Sequence, residues 1–251
     1  TISGGGVVTG WTAEADGTWS APIPTAPGGK PAYFEQLWVN GRRADRARLP
    51  NGGQGTASYF NLVKPNITAV TNAAGKVSYV ERATLTNALA AALGKIPADE
   101  FPYAQMCVVH KWSTARRILR AFDPATMTVE TWTPRGWSGW SIWSARETLV
   151  SFENVRSAFD APGEWFYDAK AGRVRYRPMA DEVVATAVVV APSAKLSQLI
   201  ALKGNPDTGE FVHDIAFRNL TFAYSDATPA AGYAVNGPTE SWQHQAASGS
   251  D

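Results

Sequence analysis

The sequence predicts an all-β protein that carries one short helix, and three observations indicate this fold class. In residues 164–177, apolar side chains occupy every second position of two segments, which is typical of strands with one buried face. The 22 glycines and 16 prolines are spread along the 251 residues, as expected where many short strands are joined by turns. A clear helical period occurs in residues 82–93.

The composition excludes several classes of function. A net charge of +1 gives no concentrated positive field, so nucleic acid is not an expected partner. One cysteine, Cys107, cannot form an internal disulfide, and three histidines are too few for a Cys/His metal cluster. No apolar run approaches the roughly 20 residues that a membrane-spanning helix needs. We therefore expect a folded protein with no metal or cofactor and no membrane partner.

The first half of the chain predicts short strands, turns and the helix. Glycines interrupt the apolar residues of segment 1–11, which predicts two short strands separated by corners. Asn40-Gly41 lies between strand-forming residues, and this pair is the strongest short signal for a hairpin. Residues 82–93 place leucines at helical spacing before a glycine and a proline, which predicts a helix over that range. Further strands are predicted at residues 105–110, 117–122 and 127–132.

Residues 149–178 carry the most informative pattern. A strand is followed by an asparagine and a Pro-Gly turn, and then by two aromatic-rich strands on either side of the loop 168–172. The period of two separates the arginines of the second strand from its apolar side chains. The segment therefore predicts a hairpin with one apolar face and one arginine face.

A weak internal repeat lies near the end of the chain, where residues 200–204 (IALKG) are echoed by residues 215–219 (IAFRN). If each copy formed a corner of a solenoid, its apolar side chains would point inward. Gly204 and Asn219 would then adopt the left-handed conformation. A spacing of 15 residues is short for a complete coil, so the repeat leaves the solenoid as a hypothesis.

Residues 149–178 also resemble a signature of large secreted proteins built on a right-handed parallel β-helix, among them glycoside hydrolase family 141. The resemblance extends to residues 212–222, which look like an early coil of that helix, and to residues 2–5, which look like a coil before it. It implies right-handed parallel β-helix coils at both ends, with an inserted β-barrel-like or sandwich-like domain that carries one short helix. The implied division is first coils in 1–29, inserted domain in 30–180 and resumed coils in 181–251.

The resemblance implies a secreted or periplasmic glycoside hydrolase that acts on plant or microbial polysaccharide, with α-linked fucose or xylan as substrate. It implies catalytic carboxylates on later coils. We therefore expect the natural protein to continue beyond Asp251 and this chain to pack against the remainder of its own β-helix. Two alternatives stay open. A non-catalytic carbohydrate-binding or adhesin module would bind glycan without cleaving it, and a polysaccharide lyase would need a Lys, Arg or Tyr base and usually calcium.

Three tryptophans at a spacing of three, Trp137, Trp140 and Trp143, are candidate sugar-binding residues. Indole faces stack on the C–H surfaces of sugar rings, and the neighbouring glycine and serine residues would leave those faces open. The same rings could instead be buried where the inserted domain contacts the β-helix.

The segment 110–117 resembles an element of the inserted domain in the same family. His110, Trp112, Arg116 and Arg117 are its candidate substrate-binding residues. They combine an imidazole, an indole and paired guanidinium groups, and arginine binds carboxylates through two parallel hydrogen bonds. The structural alternative is an ordinary strand end whose His110 and Arg117 side chains bond to backbone carbonyls.

Four arginines against one aspartate make residues 40–50 the densest charge run. The run resembles a hairpin of the same family, and an anion-binding face for acidic glycans is one interpretation. We favour a structural role, in which the arginines bond to carbonyl groups and to Asp45.

Several carboxylates crowd residues 147–168, and a hydrolase does need two carboxyl groups close together. They are Glu147, Glu153, Asp160, Glu164 and Asp168. However, Asp168 is a natural residue to open a hairpin loop, Glu164 lies within the hairpin, and Glu153 lies at a strand end. The sequence assigns none of them a catalytic role, so the catalytic residues stay unknown.

The tryptophans generate a prediction about ligand contact. If a sugar binds to this chain, Trp112→Ala or Trp140→Ala should weaken binding about tenfold, because an indole face contributes about 1–2 kcal/mol through apolar burial. Titration of oligosaccharides against each variant, with tryptophan fluorescence as the readout, measures the effect. Unchanged affinity in both variants would contradict the assignment.

Overall fold

A computed structural model of the chain describes residues 1–26, 28–51, 60–71, 75, 77–109, 114–133, 149–193, 196 and 198–225. These residues are mostly β with few short helices, which confirms the predicted all-β class. In chain order, the elements are β1 (Ile2–Ser3), β2 (Gly5–Val7), β3 (Thr12–Ala13), β4 (Trp19–Pro22), β5 (Trp38–Val39), β6 (Arg42–Arg43), β7 (Asp45–Arg46), β8 (Arg48–Leu49), β9 (Phe60–Thr71), β10 (Val77–Leu85), α1 (Asn87–Leu93), β11 (Gln105–Val109), β12 (Thr114–Asp123), β13 (Thr128–Thr133), β14 (Leu149–Glu153), β15 (Glu164–Asp168), β16 (Arg173–Tyr176), β17 (Val189–Pro192) and β18 (Phe222–Ala223). Short 3₁₀ helices occupy Ala98–Tyr103 and Arg156–Ala158.

The largest sheet contains seven strands in the order β11-β12-β13-β10-β9-β14-β8, and β14 also pairs with β11. All of these pairings are antiparallel. Leu89 and Leu93 of α1 are buried with Met106, Leu119 and Phe152 of the sheet in a first core. The apolar face of the helix therefore packs against this sheet. A short helix needs such packing, because it is only marginally stable by itself.

The helix begins later in the chain than predicted, at Asn87 and not at residue 82. Residues 77–85 instead form β10, which pairs with β9 on one side and β13 on the other. Helix α1 begins after Thr86, whose side-chain oxygen accepts a hydrogen bond from the backbone N–H of Leu89 at 3.4 Å. Leu85 and Leu89 are both buried. Their spacing of four residues fits a helix, although Leu85 is the last residue of β10. The strands predicted after the helix correspond to β11, β12 and β13.

Two smaller sheets contribute a second core. They have the orders β3-β4-β16-β15-β7 and β2-β17-β5-β6. The predicted hairpin of residues 164–177 is confirmed as β15 and β16, in which Trp165 lies opposite Tyr176 and both are buried. Phe34 stacks on Trp165 with ring centroids 5.6 Å apart. The apolar face of the hairpin thus forms the centre of the second core.

The hairpin predicted at Asn40-Gly41 is also confirmed, because β5 and β6 pair on either side of it. Asn40 has a φ of 51° and Gly41 a φ of 79°. Two successive residues with positive φ are the requirement of the tight turn that Asn-Gly favours.

Parallel pairing is rare in the described residues. Strands β1 and β18 pair in parallel, with Ile2 opposite Phe222, and β15 pairs in parallel with β7. The other pairings are antiparallel, so the β-helix coils expected at both ends are not shown. Asn219 adopts the predicted left-handed conformation with a φ of 57°. The prediction for Gly204 is wrong, because the backbone of Gly204 does not have a positive φ. Its glycine is explained by a close approach, since a Cβ there would collide with the carbonyl oxygen of Glu210.

Several strand pairs join segments that the sequence assigned to different domains. Strand β4, from the first predicted segment, pairs with β16 of the predicted insertion. Strand β17, which follows residue 180, pairs with β2 and with β5. The division of the chain at residues 29 and 180 stays a prediction.

Asn154 links the seven-stranded sheet to the second core through its side chain. It follows β14 in the left-handed conformation with a φ of 58°, which asparagine tolerates. Its amide nitrogen donates to the carbonyl oxygens of Tyr103 and Tyr167, each at 3.1 Å. Its side-chain oxygen accepts from the backbone N–H of Tyr167 at 2.8 Å. Through these bonds the buried amide pairs with β15 as the backbone of a neighbouring strand would, and Asn154 is 1% exposed.

Substitution of Asn154 tests this link. Asn154→Gly keeps the left-handed backbone available but removes the bonds to Tyr103 and Tyr167. We expect the free energy of unfolding to fall by about 2–4 kcal/mol, because buried backbone groups lose their partners. Asn154→Ala should lose about 1–2 kcal/mol more, since its Cβ opposes that conformation. Urea unfolding measures both values.

The matched control is Asn51→Ala, which removes an exposed hydrogen bond of 2.8 Å to Asp160. Its free energy of unfolding should stay within about 0.5 kcal/mol of the unsubstituted protein. An Asn154→Gly variant as stable as this control would contradict the link.

Candidate functional site

The predicted substrate-binding residues fall partly within the described part of the chain. Those that lie outside it are His110, Trp112, Trp137, Trp140 and Trp143. Arg116 and Arg117 are described, and both lie in β12. Successive side chains of a strand point to opposite faces of the sheet, so the two arginines have different surroundings.

Arg117 shares its face with Met106 of the first core and is 4% exposed. Its Nε lies 3.9 Å from a carboxylate oxygen of Glu81, which is also buried. Burial raises the pKa of Glu81 to about 7, against the opposing effect of the Arg117 charge. The structure therefore gives Arg117 a buried partner, and its contact with substrate stays a prediction.

Arg116 lies on the other face of β12, in a group of polar side chains that we call the interface cluster. Its members are Tyr33, Glu35, Arg46, Gln105, Arg116 and Glu153. Gln105 and Glu153 lie opposite each other on β11 and β14. Arg116 forms an ion pair with Glu153, and its Nη1 lies 3.5 Å from Oε1 of Gln105. Neighbouring antiparallel strands thus bring three polar side chains to one face of the sheet.

Arg46 enters the interface cluster from β7. It donates to Oε1 of Gln105 at 3.1 Å and to the hydroxyl of Tyr33 at 3.3 Å. Its guanidinium carbon lies 5.5 Å from the centroid of the Trp165 ring, and its Nη1 lies 3.8 Å from Oε1 of Glu35. Burial by itself would lower the pKa of Arg46, but Tyr33 and Glu35 raise it overall. Arg46 is therefore a buried cation held by acceptors and aromatic rings on its two Nη atoms, while its Nε has no hydrogen-bond partner among the described residues.

Glu153 is the carboxylate at the more exposed side of the interface cluster. Burial raises its pKa, but the charges of Arg116 and Arg46 outweigh that effect and hold the pKa below its ordinary value. Glu153 is consequently ionised at neutral pH. A general acid needs a pKa near the working pH, so Glu153 in this state can position a cation but cannot supply a proton.

The sequence did not identify Tyr33, Glu35 and Gln105, which are three of the six members of the interface cluster. The sequence predicted that the arginines of residues 40–50 bond to carbonyl groups and to Asp45, but the bonds of two of them go to distant side chains. Arg46 bonds to Gln105 and Tyr33, while Arg42 donates to the hydroxyl of Tyr176 at 2.7 Å. These partners lie far away along the chain, and no local pattern signals such contacts. The structural role that we favoured for the arginines fits what is observed.

One end of the seven-stranded sheet adjoins the sequence that carries the predicted tryptophans. Val109 of β11 pairs with Thr114 of β12 and with Leu149 of β14. The chain leaves the described residues after Val109, returns at Thr114, and returns again at Leu149. Arg116 lies on β12 close to these residues. The sheet therefore brings the flanks of both tryptophan-bearing segments to the end where Arg116 lies.

A small cleft of about 20 Å³ lies between the 3₁₀ helix at residues 98–103 and the β15–β16 hairpin, and we call it the hairpin cleft. Side chains that line it include Asp99, Glu100, Tyr103, Arg156, Phe166, Asp168 and Lys170. The lining thus combines aromatic rings with charged groups of both signs.

Arg156 organises the hairpin cleft. Its guanidinium group bonds to Glu100 at 2.9 Å and to Asp168 at 2.8 Å, and its carbon lies 4.9 Å from the centroid of the Phe166 ring. Asp168 also accepts from Nε of Arg175 at 2.9 Å. Burial raises the pKa of Asp168, but these two arginines outweigh it and lower the pKa overall. Asp168 is therefore an ionised residue that holds the hairpin together.

The remaining carboxylates of residues 147–168 also have structural partners, except Glu147, which lies outside the described residues. Glu164 accepts from the backbone N–H groups of Asp160 and Ala161, each at 3.0 Å. Asp160 accepts from the side chain of Asn51 at 2.8 Å.

Within the described ranges, no group of three or more His, Cys, Asp or Glu residues could hold a metal ion. In the same ranges, no helix is long and apolar enough to span a membrane.

Comparison with known proteins identifies a fold. No family model matches the chain, and no curated protein matches it. A solved structure described as "Glycoside hydrolase" aligns with a TM-score of 0.64 and 23% sequence identity. The alignment covers 89% of this chain and 36% of the other, so the chain spans about a third of the length of the solved protein. At this identity the likeness establishes the fold alone.

The buried pair of Glu81 and Arg117 predicts a pH-dependent stability. The pKa of Glu81 is about 7 in the folded protein, against an ordinary value of 4.5. The folded state binds more protons than the unfolded state between these values, so the free energy of unfolding falls as the pH rises through this window. Between pH 4 and pH 8 the protein should lose about 3 kcal/mol that the Glu81→Gln variant does not lose.

Urea unfolding of both proteins across this pH range measures the difference. The control is Glu130→Gln, which removes a part-buried carboxylate paired with Arg82 and with Arg120 and should keep the fall in stability as the pH rises. Parallel curves for the unsubstituted protein and Glu81→Gln would contradict the prediction.

Proposed function

We propose that this chain is part of a secreted or periplasmic glycoside hydrolase that acts on plant or microbial polysaccharide. The observation that carries the proposal is the likeness of fold to a glycoside hydrolase over 89% of the chain. A second line of support is the signature in residues 149–178, which resembles enzymes of the same kind. Because the chain spans only 36% of the matched protein, we propose that it contributes one portion of a larger enzyme.

The proposed fold of the larger enzyme is a right-handed parallel β-helix of the type found in glycoside hydrolase family 141. Parallel pairing of β1 with β18 and the left-handed Asn219 support this assignment. Apolar side chains in residues 211–222 are exposed, including Phe211 at 72% and Ile215 at 51%. Further coils of the same polypeptide would cover them, since the open end of a solenoid needs such cover.

The proposed reaction needs two carboxyl groups about 5–10 Å apart, one as acid and one as base or nucleophile. Glu153 and Asp168 are ionised and paired with arginines, and Glu164 is held by backbone N–H groups. We therefore propose that the catalytic pair lies outside this chain. Its own contribution is substrate contact, through Arg116 and the predicted tryptophans, to a glycan that contains fucose or xylose.

A non-catalytic carbohydrate-binding or adhesin module is the second candidate. The observation that favours it is the engagement of Glu153, Glu164 and Asp168 in structural bonds. Such a module would use the same aromatic and arginine side chains without any later catalytic pair. Sugar release by the full-length natural protein separates the hydrolase from the module.

The purified 251-residue chain should bind polysaccharide weakly and release no sugar. Reducing ends are measured after incubation with xylan and with a fucosylated glycan, and binding is measured by co-sedimentation with the insoluble polysaccharide. Turnover by this chain that disappears in Glu153→Gln or Glu164→Gln would contradict the proposal that the catalytic pair lies elsewhere. If the full-length protein releases no sugar from any glycan that this chain binds, the hydrolase gives way to the module.

A further inference from the structure

We infer that Arg117 is a two-position switch that transmits the charge state of Glu81 to the backbone of Arg116. The inference rests on the proposed function, because it assigns a regulation to Arg116, the proposed substrate contact. Two acceptors compete for the guanidinium group of Arg117, namely the carboxylate of Glu81 and the carbonyl oxygen of Arg116. The acceptor that Arg117 engages depends on whether Glu81 is ionised.

The guanidinium group of Arg117 lies between these two acceptors. Its Nη1 donates to the carbonyl oxygen of Arg116 at 3.3 Å, which is a long hydrogen bond. Its Nε lies 3.9 Å from Oε2 of Glu81, so a shift of about 1 Å would bring these two atoms into hydrogen-bond distance. Glu81 lies two strands away from β12, across β13, so this shift carries the guanidinium group away from its own backbone. The long bond to the Arg116 carbonyl would then break.

The charge of Glu81 decides between the two positions. A neutral carboxylic acid attracts the guanidinium group weakly, so Arg117 stays on the carbonyl oxygen of Arg116, as the structure shows. An ionised carboxylate attracts it strongly, because both side chains are buried and charge-assisted hydrogen bonds are about twice as strong as neutral ones. Nε of Arg117 and Oε2 of Glu81 have no hydrogen-bond partner among the described residues. Both atoms are therefore available to each other.

Thr131 gives Glu81 a neighbour that suits both charge states. It lies opposite Glu81 on β13, and its buried Oγ1 has no hydrogen-bond partner among the described residues. Side chains directly opposite each other in an antiparallel pair are close enough to interact. A hydroxyl group can accept from a neutral acid and donate to a carboxylate. Ionisation of Glu81 therefore does not leave it without a neighbouring donor.

Arg117 is the charged group that acts on Glu81 among the described residues. Strands β11 and β14 and helix α1 contribute apolar side chains to the first core on the same face of the sheet. The 3₁₀ helix at residues 98–103 contributes Phe101 to this core, while Asp99 and Glu100 line the hairpin cleft. The position of Arg117 therefore follows the charge of one carboxyl group.

The switch operates near neutral pH. Burial raises the pKa of Glu81 to about 7, against the opposing effect of the Arg117 charge. Glu81 is therefore mostly neutral at pH 5.5 and mostly ionised at pH 8.5. Below its pKa, Arg117 holds the carbonyl oxygen of Arg116. Above its pKa, Arg117 moves to Glu81, and the backbone of Arg116 loses this bond.

NMR of the purified 251-residue chain between pH 5.5 and pH 8.5 tests the switch. The carboxyl carbon of Glu81, the Nε–H group of Arg117 and the carbonyl carbon of Arg116 should change with one shared midpoint near pH 7. In Glu81→Gln, the signals of Arg117 and Arg116 should show no such midpoint. Signals of Arg116 that stay constant across this range, or that titrate equally in Glu81→Gln, overturn the inference.

Arg117→Lys separates the switch from the charge that it carries. Lysine keeps the positive charge but lacks the planar fork of donors that lets arginine serve either acceptor. Glu81 should still titrate in this variant, and the carbonyl carbon of Arg116 should no longer follow it. Glu130→Gln is the control, because it removes a carboxylate from the opposite face of the same sheet and should leave the titration of Arg116 unchanged. If Arg116 still follows Glu81 in a folded Arg117→Lys variant, the inference is overturned.

Failure of the switch and failure of the proposed function give different results. If Arg116 contacts glycan, the affinity of the chain for xylan or the fucosylated glycan should fall about threefold from pH 5.5 to pH 8.5, and that of Glu81→Gln should not. If the signals of Arg116 titrate while the affinity stays constant, its substrate contact is overturned and the switch stands. If the chain binds glycan but the signals of Arg116 do not titrate, the switch is overturned and the proposed function stands.

Discussion

The side-chain amide of Asn154 is the contact on which the arrangement of the two cores depends. Each core buries its own apolar side chains, but apolar burial has no direction and cannot by itself orient one sheet against another. Hydrogen bonds do have direction. The amide of Asn154 bonds both the N–H and the C=O of Tyr167, so it fixes β15 relative to the end of β14. The position needs a donor, an acceptor and a positive φ, and asparagine supplies all three.

The interface cluster favours one arrangement of the two cores, although burial of its charged groups costs free energy of desolvation. A buried ion pair seldom stabilises a fold more than apolar packing would, but removal of one partner leaves an unpaired buried charge. Arg46 on β7 donates to Gln105 on β11, so a shift between the cores would remove this acceptor from a buried charge. The ion pair of Arg116 with Glu153 lies within the seven-stranded sheet. The cluster therefore penalises alternative arrangements. It also holds Arg116 at the end of the sheet where Val109, Thr114 and Leu149 pair.

The sequence predicted the features that depend on local chemistry. Alternation in residues 164–177 and the Asn40-Gly41 pair both specify hairpins through neighbouring residues, and both hairpins are present. The start of the helix was missed because Leu85 fits a helical period and is buried equally well at the end of a strand. The partners of Arg46 were missed because they depend on chain segments that only the complete fold brings together.

The candidate site shows the same limit. The sequence treated Arg116 and Arg117 as one pair of guanidinium groups, although neighbours on a strand face opposite sides. The predicted strand began at Arg117 and left Arg116 outside it, so the sequence did not reveal that the two side chains point to opposite faces. Strand β12 begins at Thr114 and includes both arginines. The hairpin cleft was not anticipated, because the 3₁₀ helix at residues 98–103 meets the loop after β15 only in the folded chain.

The pairing of the arginines bears on the kind of glycan that the proposed function involves. Arg42 and Arg46, which the sequence offered as an anion-binding face, bond instead to Tyr176 and to the interface cluster. Arg156 is likewise committed to Glu100 and Asp168. Cations that are already paired attract an acidic glycan weakly, and salt screens what attraction remains at exposed sites. Under the proposed function, affinity for a glycan must come from aromatic faces and neutral hydrogen bonds, which favours an uncharged polysaccharide as the proposed ligand.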